Sequence, residues 1–151
     1  MNHPARYTRK IDPRLGLIGF CGFFGFFGFV TCLAEHIFFP FVFFSFFGFF
    51  GLYYEGKMSS TLMDERFLEN KLRADRKAYT ICFYISFVSL MLTTTAEPAW
   101  AWIGGIMGLS ASEMKLMFLT IALALGFGLA AFLSQYLLYF YDHEECDESE
   151  L

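Results

Sequence analysis

The sequence predicts an all-α protein: a four-transmembrane-helix bundle with a cytoplasmic helical extension between its second and third spans. Three observations carry that expectation. The chain is 56% hydrophobic and only 17% charged, whereas soluble domains are about 45–50% apolar and about 25% charged. Its charges are clustered, which leaves four apolar stretches close to the about 20 residues that a spanning helix needs. Its Lys and Arg residues alternate from one connection to the next, as they do when a chain weaves through a bilayer. All four spans belong to one integral membrane domain covering the whole chain.

The first span is expected at about 15–34. The basic segment before it resembles the start of a signal peptide. The apolar run is too long for one, and no small-residue cleavage site follows, so the N-terminus is expected to stay on the mature protein. Glycine recurs here at every third position, Gly16, Gly19, Gly22, Gly25 and Gly28, with phenylalanine between. Lipid offers no partners to irregular backbone, so the stretch must be helical. A three-residue step advances about 300° on an α-helix, so the stripe is expected to wind slowly round it. Small residues let a neighbouring helix approach closely. Gly19, Gly22, Gly25 and Gly28, with Phe26 and Phe46, are therefore candidates for helix packing or for an apolar pocket.

The second span, about 37–54, follows a turn at Glu35-His36 and carries Pro40 early, where proline costs little because the first-turn N–H lacks a partner anyway. Gly48 and Gly51 repeat the small-residue word. An interfacial turn accounts for Glu35 and His36 better than a proton relay, because solvation is easy at the membrane surface.

The segment 55–77 holds Lys57, Arg66, Lys71, Arg73, Arg76 and Lys77. No proline or glycine interrupts the run from Met58 to Ala96, which predicts a cytoplasmic helix continuing into span three, about 78–96. Thr61-x-x-Asp64 resembles a capping box. Glu69 and Arg73 stand four apart in the favourable acid-first order. Met58, Leu62, Leu68 and Leu72 group apart from Met63 and Phe67, so one apolar side is expected on the bundle and the other toward a partner or the bilayer surface. Glu65, Glu69, Arg73 and Arg76 are the candidate partner-binding residues. A merely solvated charged stalk is the alternative.

The connection 97–113 has no Lys or Arg. Its Glu97-Pro98 marks a helix boundary, and Trp100 and Trp102 read as belt residues of the outer interface. The fourth span is expected at about 114–141, with Tyr136, Tyr139 and Tyr141 joining Tyr53 and Tyr54 near the inner ends. The tail, 142–151, is acidic and is expected to be solvated and disordered. Basic segments stay cytoplasmic, so both termini lie inside and the location is the plasma membrane.

No catalytic motif is present. The three histidines are scattered, and Cys21, Cys32, Cys82 and Cys146 lack metal or redox spacing. The expectations are no catalytic residue, no metal and no cofactor. The expected partners are the lipid bilayer and a membrane or cytoplasmic regulator protein, with a homo-oligomer possible and no direct nucleic acid contact. Two further classes stay open: binding, export of or immunity to an apolar small molecule or membrane-active peptide, and, behind it, a membrane enzyme.

Two segments resemble a known family. Asp12-Pro-Arg-Leu-Gly-Leu-Ile-Gly-Phe20 and Asp64-Glu-Arg-Phe-Leu-Glu-Asn-Lys-Leu-Arg-Ala74 are similar to small four-span membrane proteins of Gram-positive bacteria, catalogued as a domain of unknown function. Their genes often stand near those of helix-turn-helix regulators. The resemblance implies a plasma-membrane location and a role in membrane-linked regulation, and assigns no site residue.

Overall fold

The computed structural model describes residues 11–58 and 65–149, with side chains to residue 143. Thr61 and Asp64, the expected capping pair, and Leu62 and Met63 lie outside the described residues. The described chain is helical, without strands. Helix α1 is a 3₁₀-helix over Pro13–Phe26 that relaxes to an α-helix over Phe27–Glu35. Helix α2 repeats this order, 3₁₀ over Phe39–Phe50 and α over Gly51–Lys57. Three α-helices follow: α3 Glu65–Thr95, α4 Glu97–Met107 and α5 Ala111–Ser149. Pro13–Glu35, Glu65–Thr95 and Ala111–His143 are each long and apolar enough to cross a membrane, which suits a multi-pass membrane protein.

The 3₁₀ geometry corrects the winding stripe. Runs of this helix beyond three or four residues are uncommon, because side chains at i and i+3 eclipse. Here the eclipse is what the sequence uses. With about 3.0 residues per turn, glycines three apart stay on one face, whereas α-geometry would carry Gly28 far round the helix from Gly16. All five glycines are buried. Helix α2 meets them with its own three-residue row. A Cβ at Gly16 would lie 2.8 Å from the Cβ of Tyr53, and one at Gly19, Gly22, Gly25 or Gly28 would lie 2.5–2.7 Å from the ring of Phe50, Phe47, Phe44 or Phe41 respectively. Beside this zipper Phe20, Phe23, Phe26 and Phe29 stand edge-on to Phe50, Phe47, Phe44 and Phe41, with centroids 5.0–5.2 Å apart. Aromatic pairs favour that arrangement.

A second face of α2 meets α5. A Cβ on Gly48 would lie 2.8 Å from the carbonyl oxygen of Gly128, and one on Gly51 would lie 3.0 Å from that of Ala131. Backbone here packs on backbone. Helix α5 packs on its other side against α3, through Ala74 and Ala78, both completely buried, and through Phe67, which clusters with Met58 and Leu138. The helices therefore stand in the row α1–α2–α5–α3, with no substantial packing between the two ends. The all-helical fold is thus an open layer. In each of the three candidate spans only 22% to 28% of the apolar window is buried.

The connection 97–113 is not a loop. Helix α4 folds across the end of the row, starting with Pro98 in its first turn. It ends at Gly108, whose φ of 73° suits a residue without a Cβ. Trp100 is buried, correcting its assignment to the interfacial belt. Its indole N–H donates to the Leu92 carbonyl at 2.9 Å and its ring lies against Phe118. Trp102 is exposed, as a belt residue would be. The acidic tail, expected to be disordered, continues α5 as helix through Ser149.

Candidate functional site

Helix α3 sorts its residues by spacing. Phe67, Asn70, Ala74 and Ala78 recur every three or four positions and are buried. Glu65, Glu69, Arg73 and Arg76 recur likewise on another face and are exposed, as neighbours along one helix surface should be. Glu69, Arg73 and Arg76 surround a shallow depression with Leu72, which is 71% exposed. Leu68 is exposed too, while Phe67 and Met58 go inward, so the expected grouping of Met58 with Leu68 and Leu72 is split. The face is held firmly. The Ser134 hydroxyl donates to the Asp75 carboxylate. The Lys77 ammonium donates to the Tyr141 hydroxyl at 2.6 Å, and the Arg73 guanidinium lies 5.1 Å from the same ring.

At the opposite end, His36 caps α1 in the left-handed region, with φ 56°. Such a conformation is unfavourable for a residue with a Cβ. Its Nδ1 lies 2.8 Å from a carboxylate oxygen of Glu113. Glu113 also accepts from the Ser110 backbone N–H at 2.8 Å and from its hydroxyl at 2.7 Å, which starts α5 with a capping box. Lys115 pairs with Glu97. His36 and Glu97 thus lie in a latch joining the α1–α2 hairpin, α4 and α5. The Ser-x-x-Glu spacing was readable in the sequence.

The proposed apolar pocket around Phe26 and Phe46 is not assembled. Phe26 contacts Phe23, Phe29 and Phe44, whereas Phe46 contacts Phe43 and Phe49 on a different face of α2. Gly19, Gly22, Gly25 and Gly28 are filled by phenylalanine rings, which is packing. An apolar crevice of about 480 Å³ exists elsewhere, between Phe47 and Phe50 of α2, Ile85 of α3, and Leu125, Gly126 and Phe132 of α5. Its size falls in the range of small-molecule sites, about 300–1,000 Å³.

No protein-family model matches this chain, and no curated protein or solved structure is significantly similar to it.

Proposed function

We propose that this is a non-enzymatic membrane protein acting as a regulator or accessory subunit, which holds a cytoplasmic or membrane protein partner on the charged face of α3. One observation supports the reading most: Glu65, Glu69, Arg73, Arg76 and the exposed Leu72 share a surface fixed to α5 yet take no part in the core. An apolar side chain flanked by charges of both signs suits protein recognition, where charge complementarity sets partner choice and association rate. The reading places α2 across the membrane as a fourth span. It sets residues 55–77 and both termini inside the plasma membrane, following the Lys/Arg distribution. The alternative, binding of an apolar small molecule or peptide, now rests on the crevice instead of on Phe26 and Phe46.

Reversing the charges of Glu65, Glu69, Arg73 and Arg76 tests the proposal. Isolated surface pairs are worth only about 0–1 kcal/mol, and loss of the Arg73–Tyr141 contact costs about 0.5–1 kcal/mol at an exposed site. The variant is expected to insert and melt nearly as the wild type does, but to lose its co-purifying partner. Retention of every partner would end the regulator reading. Topology has its own check. Single cysteines near Ser60 and near Ser110 in a cysteine-free background are expected to label from opposite sides of intact cells, and labelling of both from outside would rule out this arrangement.

A further inference from the structure

We infer that the crevice and the aromatic column beneath it bind one anionic phospholipid of the leaflet at the Lys57 end, its acyl chain in the crevice and its headgroup at Lys57. The crevice is built by an absence. A Cβ on Gly48 or Gly128 would strike the facing helix, but one on Gly126 would meet only Ile85 at 3.5 Å and Cys82 at 3.9 Å, ordinary contact distances. Glycine inside a helix is destabilising relative to alanine, and no crowding at Gly126 requires it. What it leaves is room, in a cleft lined almost wholly by hydrocarbon. A guest must therefore present hydrocarbon there.

The same face of α5 continues toward one membrane surface. Phe132, a wall of the crevice, stacks on Tyr136 at 5.7 Å, and Tyr54 touches Phe132, Tyr136 and Tyr139. At the end of this column the Lys57 ammonium lies 4.7 Å from the Tyr53 ring centroid and 5.7 Å from that of Tyr139. The Tyr53 and Tyr139 rings position Lys57. Lys57 is exposed, and its charge complements an anion. The spacing fits a lipid. Gly126 and Tyr139 lie on one continuous helix, thirteen residues and hence about 20 Å apart at about 1.5 Å per residue. Half a bilayer with its headgroups is about 20–22 Å. The column thus reaches from headgroup level to the inner end of one leaflet. The inference is independent of any protein partner at α3.

The test uses the full-length protein in nanodiscs of equal phosphatidylglycerol and phosphatidylcholine, released for native mass spectrometry. The wild type is expected to retain one lipid, with phosphatidylglycerol enriched. Lys57→Gln should retain a lipid but lose about fivefold of that enrichment, the factor carried by one lysine at an anionic surface. Gly126→Leu should lose the retained lipid while its thermal midpoint is no lower, and Gly126→Ala, adding a single methyl group, should lie between. Bulk lipid proportions on the wild type, unchanged enrichment in Lys57→Gln, or wild-type retention in both Gly126 variants would each overturn the inference.

Discussion

Leucine at both Gly22 and Gly25 is expected to unzip α1 from α2 and to lower the thermal unfolding midpoint of the detergent-purified protein sharply. A Cβ at these positions would already lie 2.5 Å and 2.6 Å from the rings of Phe47 and Phe44. Overpacking costs about 1–3 kcal/mol per site. The displaced rings would also leave their edge-on partners Phe23 and Phe26, at about 0.5–1.5 kcal/mol per pair. Set against a total stability of about 5–15 kcal/mol, the double change is close to disabling. The register supplies a sharper form of the test. Alanine at Gly22 should be partly rescued by Phe47→Ala, its facing residue, and not by Phe44→Ala, one turn away. Equal rescue by both, or an unchanged midpoint in the leucine variant, would mean that the rings are not seated on the glycines.

The sequence made the hairpin legible and hid its helix type. Glycine at every third position is visible to the eye, and a stripe of small residues announces close packing. The winding expected of it came from assuming α-helical pitch. The partner row Phe41, Phe44, Phe47, Phe50 and Tyr53 has the same period, and two matched rows of period three meet along their length only when both helices hold about three residues per turn. Helix α4 was missed because Trp100 and Trp102 alone suit an interface. Only the fold shows that Trp100 finds a carbonyl on α3. The charged face was readable from the spacing of Glu65, Glu69, Arg73 and Arg76, since one helix determines it. The crevice was not, because three helices contribute to it and Gly126 gains its meaning from Ile85.

Leucine at Gly48 is expected to split the row in two, a different failure from opening the hairpin. Helix α5 joins α2 on one side to α3 on the other, so the α2–α5 crossing, together with the His36–Glu113 latch, holds the α1–α2 pair to the rest of the protein. At Gly48 the obstacle is backbone: a Cβ would lie 2.8 Å from the Gly128 carbonyl oxygen and 2.9 Å from the Ala131 Cβ. A ring can turn aside, but a helix backbone cannot move without carrying its packing along. Gly48→Ala should therefore be almost as damaging as Gly48→Leu, whereas a Cβ at Gly126 would meet its neighbours only at 3.5 Å and 3.9 Å. Cys32 reports the separation, since its thiol lies 3.8 Å from the Met117 sulfur across the α1–α5 contact. With Met117→Cys and the other cysteines changed to serine, mild oxidation should link Cys32 to position 117 in the parent. Gly48→Ala and Gly48→Leu should both cut that yield severely and lower the thermal midpoint by an amount matching about 1–3 kcal/mol or more. Parental cross-linking in both variants would show that α2 and α5 do not meet backbone to backbone, and the open row would have to be redrawn.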